Sequence, residues 1–202
     1  MSSLAVLMAL RVRGRATPAA IAAAAGVTLG EARARVSEAV AAGLADADAD
    51  RFVLSAAGHT QLAALLAREA LDREALDALY AAFLTNDACL KARITAWQLA
   101  APRSHSGGAA NGTGDAPADS AEAAAAFADL RAVAAEAREI AARLAAVVPR
   151  HAGYARRLGA AVDALAVGDT RFVASPRVDS LHQVWFELHQ DLLVTLGRER
   201  AG

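Results

Sequence analysis

The stretch from Ala16 to Leu44, "ATPAAIAAAAGVTLGEARARVSEAVAAGL", decides how the first part of this chain folds. Thr17 followed by Pro18 supplies a side-chain N-cap and a proline whose missing N–H is harmless at the first helical position. The apolar run that follows stops at Gly26. Thr28, with Glu31 three positions on, then spells a capping box for a second helix. That helix runs to about Ala42 and ends at Gly43, a residue suited to the left-handed conformation just past a helix. Leu29, Ala32, Val36 and Val40 recur at helical spacing and form its expected buried stripe. The stretch therefore reads as helix, tight turn, helix.

Working outward, residues 3–13 carry the apolar run "LAVLMAL" and form an earlier helix, followed by Arg11, Arg13 and Arg15. The basic residues come after the apolar run, so it does not read as an export signal, and no long apolar span suggests membrane insertion. Downstream, "LADADADRFVLS" (44–55) reads as two short strands turning near Asp48 to Asp50, with Phe52 and Leu54 alternating with Arg51 and Val53. "AAGHTQLAALLAREALD" (56–72) returns to helical spacing through Leu62, Leu65 and Leu66. Helix, helix, turn, helix, hairpin, helix is the order of a winged helix-turn-helix, here over residues 3–70.

The opening stretch resembles the helix-turn-helix of the MarR and PadR regulator families. "FVLSAAGHTQLAALL" (52–66) is similar to their passage from wing to helix, where a strand ends in a Leu-Ser/Thr-x-x-Gly turn. The resemblance implies duplex DNA as a partner, and the positions that would meet it are Arg11, Arg13, Arg15, Thr28, Arg33, Arg35 and Arg51. The charges are less accommodating. With the stripe buried, a helical wheel turns Gly30, Glu31, Ala34 and Glu38 outward, and two glutamates there repel phosphate. The wing sets Asp46, Asp48 and Asp50 against Arg51. Residues 1–70 hold seven arginines and six acidic residues, a weak excess for a DNA reader.

Composition bounds the rest. The 202 residues are 55% hydrophobic but only 4% aromatic, because alanine does most of the apolar work and favours helix. A net charge of −1 provides no global field for nucleic acid or anionic membrane, so DNA binding must rest on local charge. Cys89 is the only cysteine, which excludes an internal disulfide and suits a reducing cytoplasm.

Residues 71–202 read as a second, helical domain. A helix at about 74–100 presents Leu76, Tyr80, Phe83, Leu90, Ile94 and Trp97. "APRSHSGGAANGTGDAPADS" (101–120), with His105, reads as a flexible loop. A long alanine-rich helix follows from Ala121 to Val148, interrupted at Pro149 and Gly153. Another runs to Val167, a loop opens at Gly168, and a last helix ends at Gly197. The expected class is mainly α, a winged helix-turn-helix followed by a helical bundle, and the chain length of the helices suggests a homodimer.

The last helix concentrates the residues that chemistry uses, "SPRVDSLHQVWFELHQDLL" (175–193). Val178, Leu181, Trp185, Leu188 and Leu192 form one seam, and His182, Phe186, His189 and Leu193 a second beside it. The two histidines lie about 10.5 Å apart along the axis, too far to share a metal ion. Ser180 and His182 point to different faces, and no nucleophile elbow, phosphate loop or dinucleotide fingerprint occurs, so neither catalysis nor a cofactor is expected. Asn86 and Arg93 share the seam of Phe83 and Trp97 and need partners if buried. Asp179, His182 and His189, with Arg171 and Arg177 before them, are candidate mates. Trp97 and Trp185 offer apolar walls. These nine residues make either a closed polar network or a pocket for an effector or protein partner. "FLTNDACLKARITAWQLA" (83–100) and "GDTRFVASPRVDSLHQVWFELHQDLLVTLGRER" (168–200) also resemble segments of actinobacterial winged-helix proteins and tails of phosphoenolpyruvate/pyruvate-binding, dikinase-like proteins. That likeness implies a regulatory or accessory role beside such an enzyme, without catalysis here. The expected function is a transcriptional regulator with a helical sensing or dimerisation domain; a protein-interaction module that binds no DNA is the alternative.

Overall fold

The computed structural model of the protein describes residues 3–100 and 121–198; the loop expected at 101–120, with His105, lies outside them. The described residues are mainly helical and form one two-stranded sheet. They divide into two compact units, 1–71 with 150–154 and 187–202, and 72–149 with 155–186.

In the first unit, α1 (Ser3–Arg13), α2 (Pro18–Ala25) and α3 (Leu29–Ala41) precede an antiparallel ribbon of β1 (Ala45–Asp48) and β2 (Arg51–Leu54), and α4 (Ala56–Ala67) follows. Each helix start has a chemical cause. The Thr17 hydroxyl accepts the Ala20 N–H, and the reciprocal capping box of Thr28 and Glu31 is formed. Gly26, at φ 68°, ends α2 in the left-handed region that only glycine enters without strain. Ala16 and Phe52 exchange both backbone hydrogen bonds, so a short extended segment between α1 and α2 lines the outer edge of β2. Val6, Leu7, Leu10, Ile21, Ala32, Val36, Leu54 and Leu62 fill the core.

The stripe of α3 departs from expectation at its first member. Ala32, Val36 and Ala39 are buried and Val40 half-buried, but Leu29 is 42% exposed. Leu29 is the first helical residue after the Thr28 cap and stands ahead of the turn at which the helix meets the core.

The ribbon turns through Ala49, at φ 54°. A side chain there costs about 1–2 kcal/mol relative to glycine's free access to that region. Ala49→Gly is expected to raise the unfolding free energy by about 0.5–1 kcal/mol in a urea titration. Lower stability in that variant would mean that the turn is not strained.

Two segments beyond residue 70 pack with this unit. They are 150–154 and the later part of α9 (Leu181–Leu196), from Glu187 onward. Glu187 pairs with Arg13, Arg150 pairs with Glu69, and Val194 packs against the apolar core. A boundary drawn at residue 70 misses them because the pairing rests on single side chains far apart in sequence.

In the second unit, α5 (Arg73–Ala100) and α6 (Ala121–Val147) are long helices. Asp72 caps α5, its carboxylate accepting the Ala75 N–H. Asn86 meets Val133 and Glu136 while Arg93 meets Asp129, so the two helices run antiparallel. A 3₁₀ turn at Pro149–His151 leads to α7 (Ala152–Ala166), most of which belongs to this unit. The expected loop after Gly168 holds a one-turn helix, α8 (Arg171–Ala174). Phe83, fully buried, stacks on Trp185 at 4.1 Å, and the Trp185 indole N–H donates to Asp87.

Candidate functional site

The α3 surface is less hostile to phosphate than its composition suggests. Glu31 is turned back onto its own helix start, where its carboxylate accepts from the Thr28 backbone N–H (2.9 Å) and hydroxyl (2.8 Å). Those bonds, the backbone one foremost, hold the Glu31 carboxyl below its ordinary pKa. Glu38 accepts from Arg35 at 2.8 Å. Both glutamates are thus engaged locally, one at the positive end of the helix dipole and one by a cation. Thr28 is occupied as the cap. Arg33 stays exposed and, among the described residues, has no partner; Gly30, Ala34 and Ser37 flank it on the outer face.

The other candidate arginines of this unit divide in the same way. Arg13 is largely enclosed and pairs with buried Glu187 at 2.9 Å. Arg15, exposed, forms an ion pair with Asp48 of the ribbon. Arg11 and Arg51 are exposed and, among the described residues, unpaired. Arg11, Arg33 and Arg51 therefore remain open to an external anion, whereas Arg13, Arg15 and Arg35 already hold a carboxylate.

The nine residues expected to line a pocket in the helical domain do not converge. Asn86 is buried and donates to the Val133 carbonyl and Glu136 at 3.4 Å each. Arg93, expected in the same seam, is exposed and bridges Asp129. Asp179 lies before α9 and takes a bidentate pair from buried Arg157 (2.8 and 2.9 Å) instead of meeting His182. His182 is exposed, as is Phe186, because the buried side of α9 is set by Leu181, Val184, Trp185 and Leu188. Arg171 binds Asp169 two residues earlier, and Arg177 is exposed. The Arg171 hydrogen bonds keep Asp169 below its ordinary pKa. Trp97 is buried beside Phe127. His189 is buried on the part of α9 that belongs to the first unit. An open groove of about 400 Å³ does exist in the second unit, between α6 and α7, but Ala128, Arg131, Ala135, Val162 and Leu165 line it and none of the nine does.

The most developed polar centre was not among the candidates. It lies in the first unit around Asp191, which is 1% exposed. Arg150 donates to its carboxylate, as do His151 through Nε2 (2.9 Å), Thr195 (3.0 Å) and Tyr154 (3.3 Å). The same guanidinium reaches both Glu69 oxygens from Nε (3.2 Å) and the Thr195 hydroxyl. Burial alone would raise the Asp191 carboxyl. The charges on His151 and Arg150 overcome that and hold it far below the usual aspartate range. Burial likewise works against the Arg150 charge, but Asp191 and Glu69 outweigh it and its pKa ends raised. His151 is wholly buried, and the cluster ties 150–154 to Glu69 and to Asp191 and Thr195 of α9 within the first unit. One local signal points to it: "PRH" at 149–151 breaks a long helical pattern with two adjacent basic residues.

Among the described residues, no group of three or more His, Cys, Asp or Glu is placed to hold a metal ion, and no helix is long and apolar enough to cross a membrane. No family model, no curated protein and no solved structure matches the chain.

Proposed function

We propose that this protein is a DNA-binding transcriptional regulator whose first unit works as a winged helix-turn-helix, with α3 entering the major groove. The observation that carries the reading is the order α1, bridged Ala16, α2, glycine turn, α3, ribbon, α4, with the cap at each joint made by the residue the motif calls for. The outward face of α3 offers a free cation, a hydroxyl and small side chains, which lets the helix approach base edges closely. Arg11 and Arg51 would supply phosphate contacts. The helical second unit serves sensing or dimerisation, the protein acts as a cytoplasmic homodimer, and a small-molecule effector or an enzyme partner sets its state.

Fluorescence anisotropy with duplex DNA from the gene's own upstream region, compared with random duplex from about 50 to 200 mM salt, tests this. Specific duplex is expected to bind more tightly at every salt concentration. Arg33→Ala is expected to weaken specific binding by about 1–3 kcal/mol and to narrow the gap to random sequence. No binding at any salt, or equal binding to both duplexes, would sink the proposal. A second reading has one observation in its favour: Asp46 and Asp50 stand exposed on the ribbon, and three of six nearby arginines are spent on internal carboxylates. It makes the first unit a protein-interaction module attached to a metabolic enzyme, one using phosphoenolpyruvate or pyruvate, and the same titration decides against DNA in that case.

A further inference from the structure

The acidic ribbon is the part of the molecule that fits a DNA-binding reading least, and its geometry points to a role for one of the three aspartates. In register, Asp48 stands opposite Arg51 and Asp46 opposite Val53. All four are exposed, and alternation along a strand puts 46 and 48, and 51 and 53, on one face. Arg15 joins that face from the segment that Ala16 ties to the far edge of β2, and its guanidinium is paired with Asp48. One carboxylate thus holds exposed Arg15 and stands across the ribbon from exposed Arg51.

Resting on the DNA-binding reading, we infer that Asp48 is an internal stand-in for a backbone phosphate: it occupies Arg15 in the free protein and gives it up to DNA. A carboxylate and a phosphate present the same paired oxygens to a guanidinium. The exchange is open here because both partners lie more than half exposed, at 56% and 59%. An ion pair that exposed contributes little, so a phosphate that also releases condensed counterions displaces it. The Arg13–Glu187 pair makes the contrast. Its side chains are 15% and 5% exposed, and it stays closed as an anchor. Asp48 therefore sets a threshold: the ribbon grips only a ligand that competes with its own carboxylate, which disfavours weak encounters with any polyanion.

The test is a set of salt titrations on full-length wild type, D48N, R15A, the R15A/D48N double variant and D50N, with circular dichroism to verify folding. D48N is expected to tighten duplex binding about 3- to 10-fold near 50 mM salt without steepening the log–log salt slope, because Arg15 meets phosphate in both complexes, whereas R15A is expected to flatten the slope by about 0.9, the share of that one contact. In the R15A background the same change is expected to alter affinity less than about twofold, since the freed cation is gone. D50N, which removes a charge at the same tip without releasing Arg15, is expected to leave the slope unchanged. An equal gain with and without Arg15, a slope that R15A leaves unchanged, or weaker binding by D48N overturns the inference while leaving DNA binding intact. Absence of binding by wild type and D48N alike overturns the DNA-binding reading itself. Binding by D48N alone supports both.

Discussion

Arg150→Met is expected to lower the unfolding free energy by about 3–5 kcal/mol, the largest loss from any single substitution considered for this protein. The guanidinium is 9% exposed and binds Asp191, Thr195 and Glu69 at once. Its removal leaves Asp191, 1% exposed, without one of its two counter-charges. Leaving one buried charge uncompensated costs more than the pair contributes when whole. The double variant R150M/D191L, which removes both charges, is therefore expected to lose less than R150M alone. Urea titration at neutral pH measures wild type, R150M, D191L and the double variant. A loss below about 1 kcal/mol in R150M, or a double variant as damaged as the sum of the single ones, would refute this account of the cluster.

The same carboxylate gives a pH dependence of definite sign. Asp191 has a folded-state pKa depressed below its unfolded value. Its contribution is full above the ordinary aspartate pKa of about 3.9 and is lost as pH falls through the region below it. The stability gap between wild type and D191N is expected to stay constant from neutral pH down to about 5 and to shrink below about 4. A gap that grows as the pH is lowered would have the wrong sign.

Gly58→Ala is the second large effect, and its sign runs against helix propensity. Gly58 sits in the first turn of α4, where replacing glycine by alanine ordinarily gains up to about 1 kcal/mol. Here an added Cβ would stand 2.0 Å from the Leu44 carbonyl oxygen and 2.8 Å from the Leu54 side chain. That carbonyl cannot retreat freely, because it accepts the Ser55 N–H at 3.1 Å, and Ser55 in turn caps α4 and donates to the Gly43 carbonyl. The expected outcome is a loss of about 3 kcal/mol, read as a fall in Tm. A variant as stable as wild type would mean that α4 can slide from β2 at little cost.

Gly58 also marks what the sequence made legible. The turn "LSAAG" was readable as a motif, and the close approach of Leu44 explains why it needs a glycine. Caps at Thr17, Thr28 and Ser55, the stop at Gly26 and the ribbon over 45–54 could be read because each depends on residues within a few positions of one another. The helical wheel failed where tertiary partners choose the face. It set His182 beside the core and gave Asp179 to it, while Arg157, which no local pattern links to Asp179, took the carboxylate. It also turned Glu31 and Glu38 toward an incoming duplex, without showing that Thr28 and Arg35 would engage them. The Asp191 cluster could not be assembled from the sequence for the same reason: Asp191 and Thr195 meet Arg150, His151 and Tyr154 from 37 to 45 residues earlier, and only the folded chain brings them together.

The anchoring of Arg13 by Glu187 and of Glu69 by Arg150 bears on the order in which the protein is made. The first unit spans residues near both ends of the chain. During synthesis α1 to α4 emerge early, with their caps and apolar contacts available at once. The carboxylates that complete Arg13 and Arg150 arrive only when residues 187–191 have left the ribosome. Contacts of such separation close slowly, because the intervening chain must first be ordered. The unit proposed to meet DNA therefore reaches its final form last, and a nascent chain that stops short of Glu187 carries Arg13 without the partner that encloses it.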